Sequence, residues 1–238
     1  MQPFHPHTLP HPEARREYEP NLVTVTKMTD DQPNPVSAPV APPVFEGDDG
    51  TTTLGVVGKV NNDDIRLAAY QDCGEVNSSV GLVLALAGGL DTQDVAMLSS
   101  IQHDLYDLAA DIGSGKVHAD SESPHITEAH IERLERACEH YASELGPRGG
   151  SLLPGGTVTA ALLYQACSIT QRAERTTWTA SVEHPDSLSA RPHRYLNRLA
   201  ALLSIMARDA NLEHGDTLWN PMASCATAES TNGTGPHA

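Results

Sequence analysis

"SPHITEAHIERLERACEHYASEL", Ser123 to Leu145, places Ile131, Leu134, Cys138, Tyr141 and Leu145 three or four residues apart. That is the helical period, so the five side chains fall on one apolar stripe. Thr127 stands where an N-cap oxygen is wanted, and Gly146-Pro147 closes the pattern. One such stripe is stable only against other elements. Working outward, four more helical patterns supply them. One precedes it with Ile101, Leu105, Leu108 and Ile112 at spacings of 4, 3 and 4. Another runs from about Asp64 to Ala87. A fourth helix follows Gly155-Gly156 and reaches about Val182, and a fifth spans about Asp186 to Asn211, with Pro192 leaving its start open. The strand signal is confined to "TTTLGVV". The expectation is an all-α five-helix bundle whose short connections make neighbours antiparallel.

Composition agrees. The 238 residues suffice for one domain with a real core. Aromatics are 4%, so Leu, Ile, Val and Ala must build it, and small residues let helices approach closely. A formal net charge of -16 repels nucleic acid, which is excluded as a partner. Cys73, Cys138, Cys167 and Cys225 form no C-x-x-C pair, so a reducing, cytoplasmic setting is expected. No run of 18 apolar residues is long enough to span a membrane, and no apolar signal region opens the chain. Three segments are expected: a disordered Pro/His-rich arm over 1–43, the helical unit over 44–221, and a disordered tail over 222–238.

Four stretches can carry chemistry. "EGDDGTTTLGVVGK", Glu46 to Lys59, has glycines for tight turns and hydroxyls that can cradle phosphates, with Lys59 as counter-charge; an ordinary turn fits the same residues. It is not a Walker A loop. Its acidic residues Glu46, Asp48 and Asp49 would want Mg²⁺ beside a phosphate. "LLPGG", Leu152 to Gly156, opens a helix whose free N–H groups either receive an anion or simply start the helix. Cys167, Gln171 and Glu174 share a face of the fourth helix, flanked by Arg172 and Arg175, which fits either a ligand face or a solvated one. Asn197 and Arg198 open an otherwise apolar helix and need partners if buried.

Taken in order, "GDDGTTTL", "DDIRLAAYQDCGEVNSSVGL", "IQHDLYDLAADI", "ITEAHIERLE", "LLPGG", "QRAER", "RYLNRLAALL" and "LWNP" resemble the PduO-type ATP:corrinoid adenosyltransferases over about Val44 to Pro221. The resemblance implies a homotrimer of five-helix bundles with sites between subunits. It implies transfer of the 5′-deoxyadenosyl group of ATP to cob(I)alamin, with release of triphosphate and with Mg²⁺ accompanying ATP; no protein motif holds a metal. Gly47, Asp48, Gly50, Thr51 and Thr52 match the family's phosphate loop, and Lys59 its Gly-Lys. Glu174 matches the nucleotide-contacting Glu, Arg172 the second Arg of the same block, and Asn197 with Arg198 the L-N-R-L block.

The departures are equally specific. The family's Asp in V-D-E-L-N-S is Gly74, and the Arg it meets across subunits is Cys167. A triphosphate-contacting Arg is Gln171, and the loop Lys is Asp49. The Phe before L-P-G-G is Ser151, a His is Tyr164, and S-D-x-L-F lacks its Asp and Phe, ending at Ser204. These changes argue against cobalamin as acceptor. The expected function is an ATP-using transferase, acting at C5′ of ATP on an acceptor other than cob(I)alamin. Cys167, Gln171 and Arg172 are its expected catalytic positions. Nucleotide binding falls to Gly47, Asp48, Gly50, Thr51, Thr52, Lys59, Arg172, Glu174 and Asn197. A non-catalytic trimeric scaffold that binds a nucleotide or corrinoid, and an ordinary cob(I)alamin adenosyltransferase, are the alternatives.

Overall fold

A computed structural model describes residues 47–115, 123–143, 145–147 and 149–225. Their order is β1 (Thr51–Leu54), β2 (Gly58–Asn61), α1 (Ile65–Leu86), α2 (Thr92–Ser114), α3 (Glu128–Ser143), α4 (Val158–Glu183) and α5 (Arg191–Asp209). The five expected helices are present. Helix α4 lies between α1 and α5, α1 also packs on α2, and α3 packs on α5. Small buried residues explain the central place of α4: Ala160, Ala166, Thr170, Ala173, Thr177 and Ala180 let both neighbours come close. The α2 stripe of Ile101, Leu105, Leu108 and Ile112 is buried as its spacing predicts.

Local chemistry sets the helix ends. Asp64 caps α1 by accepting from the Arg66 backbone N–H. Asp91 and Asp94 form a reciprocal capping box on α2. At α3 the Thr127 N–H donates to His130 Nδ1 at 3.1 Å, so a ring nitrogen fills the role that a Glu or Gln side chain takes in a capping box. Helix α5 starts at Arg191, later than expected, because Pro192 has no N–H to give and fits only a first turn.

Three buried carboxylates tie α2 to its surroundings. Asp104 pairs with Arg133 of α3 and accepts from the Tyr195 hydroxyl of α5 at 2.6 Å. Burial pushes the Asp104 carboxyl up, against the charge of Arg133. Asp111 accepts from the Ile126 N–H at 3.1 Å, and Asp94 from the Tyr141 hydroxyl at 2.6 Å.

"TTTLGVV" supplies only the first strand. It turns through a 3₁₀ segment at Gly55–Val57 and pairs antiparallel with Gly58–Asn61, with Thr51 opposite Asn61 and Leu54 opposite Gly58. Leu54, Val60 and Leu67 make a small core under this hairpin, apart from the bundle core. Gly55 is required there: with φ +46°, a Cβ would lie 2.4 Å from the Gly113 carbonyl oxygen at the end of α2. The expected arm over 1–43 lies outside the described residues, as does the tail beyond 225; residues 222–225 form an exposed turn. No helix among the described residues is long and apolar enough to cross a membrane.

Candidate functional site

The Gly-rich loop leads into β1. Gly47 (φ +102°) and Gly50 (φ +75°) take conformations open to glycine, and the Gly50 N–H donates to the Gly47 carbonyl at 2.9 Å. Asp49 lies inside this turn. Its Oδ1 accepts from the Thr51 N–H at 3.1 Å and the Thr51 hydroxyl at 2.6 Å, and its Oδ2 accepts from Lys59 Nζ at 2.9 Å. The Thr51 hydroxyl, and then Lys59, hold the Asp49 carboxyl at about 2. Lys59, expected as a phosphate counter-charge, thus faces a carboxylate of its own chain. Both groups are mostly exposed, at 66% and 60%, so the pair is weak and can exchange partners.

A second cluster crosses from α3 over α5 to α4. Asn197 Nδ2 donates to Glu174 Oε1 at 2.9 Å, Arg198 Nη1 donates to Asn197 Oδ1 at 2.6 Å, and Arg198 Nε donates to Glu135 Oε1 at 2.8 Å. Glu174 and Asn197, both expected at the nucleotide, are thus neighbours bonded to each other. One turn further along α4, Trp178 stands edge-on to His193 of α5, with centroids 4.6 Å apart. Burial lowers the His193 pKa, opposed by the charge of Glu174. No hydrogen bond or ion pair among the described residues joins this cluster to the Gly-rich loop.

Other expected positions fall differently. Cys167 does not line an acceptor pocket. It is 6% exposed, and its Sγ donates to the Ala200 carbonyl at 3.2 Å. Burial raises its pKa, which disfavours the thiolate, and the side chain packs between α4 and α5. Gln171 is exposed on α4. Arg172 is bound to Glu75 and lies 3.6 Å from Asp72, while Asp72 also accepts from Thr176 at 2.7 Å. Its charge is directed at α1. Gly74 is exposed in an unbroken α1, and a Cβ there would meet nothing within 4 Å. It lines a groove of about 440 Å³ with Tyr70, His103 and Tyr106.

At "LLPGG" the structure shows a capped helix entry. Thr157 caps α4 through Ala160 N, while Asn211 takes the Thr157 N–H at 3.0 Å and donates to the Gly155 carbonyl at 2.9 Å. The Thr157 and Ala160 N–H groups are used in this way. The same segment meets the "LWNP" block: Leu153 N donates to Thr217 O, and Trp219 N donates to Ser151 O, each at 2.8 Å. Sequence reading also missed the Asn77–Gln102 pair, at 2.9 Å between side chains, which joins α1 to α2. Both residues lie in family blocks, which is the one signal that could have found them.

The chain is thus a five-helix bundle with a Gly-rich loop before its first helix and a Glu–Asn pair across α4 and α5. The family model described as cobalamin adenosyltransferase matches residues 44–210, and the chain belongs to that family. It is similar to the corrinoid adenosyltransferase of Mycobacterium tuberculosis strain H37Rv, at 44% identity over 176 residues, covering 74% of this chain and 90% of that one. The Bacillus subtilis corrinoid adenosyltransferase is 34% identical over 171 residues, 71% of this chain and 86% of the relative. Among solved structures, a variant of the PduO-type ATP:corrinoid adenosyltransferase from Lactobacillus reuteri, complexed with cobalamin and ATP, superimposes with TM-score 0.65 at 27% identity, covering 73% of this chain and 96% of that one. An acceptor other than cob(I)alamin finds no support in these relatives. The doubt over cobalamin falls with it, because the departures at Gly74, Ser151 and Ser204 stand in a chain this similar to named corrinoid adenosyltransferases.

Proposed function

We propose that the protein is an ATP:corrinoid adenosyltransferase, moving the 5′-deoxyadenosyl group of ATP to the cobalt of cob(I)alamin and releasing triphosphate. The reading is carried by the 44% identity to the Mycobacterium tuberculosis enzyme across 90% of its length. In the reaction the C5′–O bond breaks, its electron pair leaves with triphosphate, and the cobalt supplies the pair for the new Co–C5′ bond. The protein's part is proximity and charge.

Glu174 and Asn197 hold the nucleoside end. Gly47, Asp48, Gly50, Thr51, Thr52 and Lys59 receive the phosphates, Lys59 exchanging Asp49 for them. Mg²⁺ arrives with ATP and offsets phosphate charge; Asp48 is the exposed loop carboxylate that fits it. Among the described residues the loop and the Glu174 cluster are not bonded within one chain, which supports a site completed between subunits of a homotrimer. Residues 44–221 are its folded unit.

The test is incubation with ATP, Mg²⁺ and reduced cobalamin. Adenosylcobalamin and triphosphate should form in equal amounts. Glu174→Ala should weaken ATP binding by about 1–3 kcal/mol, the cost of an unpaired polar partner. Unchanged ATP and cobalamin would overturn the reading. A non-catalytic scaffold is the second reading, favoured by Arg172, whose charge is taken by Glu75 and Asp72. It expects ATP binding without turnover in the same experiment.

A further inference from the structure

Glu135 closes the block "ITEAHIERLE", which carried no assigned ligand contact, and Arg198 had no role beyond its place in its own block. Both lead to Asn197. A guanidinium carries only donors, so the Asn197 atom facing Arg198 Nη1 at 2.6 Å is the carbonyl oxygen. The other end of the amide, the NH₂, is therefore fixed toward Glu174 Oε1 at 2.9 Å. Arg198 is itself aimed by Glu135 through Nε at 2.8 Å. The fork of Arg serves both partners at once, which an ammonium would not do in one geometry.

We infer that Glu135 and Arg198 are positioning residues for the nucleoside end of ATP: they fix the Asn197 amide so that Glu174 keeps one carboxylate oxygen free for a ligand hydroxyl. The inference rests on the function proposed above. Glu174 Oε1 is engaged by Asn197, whereas Oε2 has no hydrogen bond among the described residues. Trp178, 53% exposed, stands one turn further along α4 and against His193 of α5. Without Glu135, Arg198 is released and the Asn197 amide loses its fixed sense.

The experiment compares ATP with inorganic triphosphate, which has the phosphates but no nucleoside. Calorimetry is run on the assembled parent, Glu135→Gln, Glu135→Ala and Arg198→Lys. The Glu135–Arg198 pair is partly exposed, at 44% and 37%, so the effect is that of a screened pair, about fivefold. Glu135→Ala and Arg198→Lys should weaken ATP about fivefold and leave triphosphate within about twofold, with Glu135→Gln between parent and Glu135→Ala. In turnover, KM for ATP should rise while kcat holds. Equal loss for both ligands would mean a general disturbance, and unchanged ATP affinity would mean an idle contact; either overturns the inference and leaves the proposed function standing. A parent that binds neither ligand overturns both. Glu135→Gln keeps the size of an exposed side chain, so its folding is not at stake.

Discussion

Gly74 is the residue whose replacement says most about how the chain assembles. It lies inside α1, exposed, and a Cβ built on it finds no atom within 4 Å. Within one chain, Gly74→Ala therefore adds no clash and removes the helix penalty of glycine. That penalty is about 0.8–1.0 kcal/mol in an exposed helix interior. For a domain of this size it converts to a rise in Tm of about 2–4 °C. Melting should be followed at one fixed protein concentration, since assembly by itself shifts Tm. Gly156→Ala is the opposite control: with φ +98° and a Cβ 2.3 Å from Asn211 Oδ1, it must displace the side chain that closes the start of α4. A fall in Tm for Gly74→Ala would refute the reasoning. The groove beside Gly74 would then be filled in the assembled protein by atoms that one chain does not contain, and the glycine would be there to admit them.

Two further outcomes are expected. Native protein treated with iodoacetamide at neutral pH should be modified at the exposed Cys225 and spared at the buried Cys73 and Cys167, whereas the urea-unfolded chain should react at all four cysteines; native Cys167 reacting as fast as Cys225 would restore it as a nucleophile. The Asp49 carboxyl is held at about 2, so its pairing is intact above the ordinary carboxylate range and is lost as pH falls through about 2. Thr51→Val removes the largest cause and should move the Asp49 carbon-13 titration midpoint upward; an unmoved midpoint would mean that Thr51 does not hold it.

The helices were legible because their signals are local. Asp64 and Thr127 stand before helical patterns, and the α2 stripe repeats at the helical period with every member buried. The second strand was not, because Gly58–Asn61 has one buried apolar residue and is too short to show alternation. Site residues divide the same way. Glu174 and Asn197 could each be placed in a family block, but their bond to each other could not be foreseen, nor could Arg172 be assigned to Glu75 and Asp72 without knowing that α1 packs on α4. Cys167 was misread because sequence gives a residue's face on its own helix and not the carbonyl opposite, here that of Ala200. The acceptor was misread for a related reason. Substitutions at Gly74, Ser151 and Ser204 were read together as lost corrin chemistry, yet what a lost side chain costs depends on neighbours that sequence does not display.

The small core under the hairpin makes the Gly-rich loop a separate cooperative unit. Leu54, Val60 and Leu67 hold it, whereas the helices share a core many times larger. Fewer apolar contacts must be broken to open the hairpin than to open the bundle, so it sits at the low end of the protein's ladder of local stabilities. Thr51 and Lys59 both lie on it. A polyanion that binds only the closed hairpin stabilises that unit in proportion to the logarithm of its concentration over its Kd and leaves the bundle's own stability untouched. Ligand occupancy is thereby written into the amide-exchange rates of a segment of some ten residues, read against helices that act as an internal reference in the same chain.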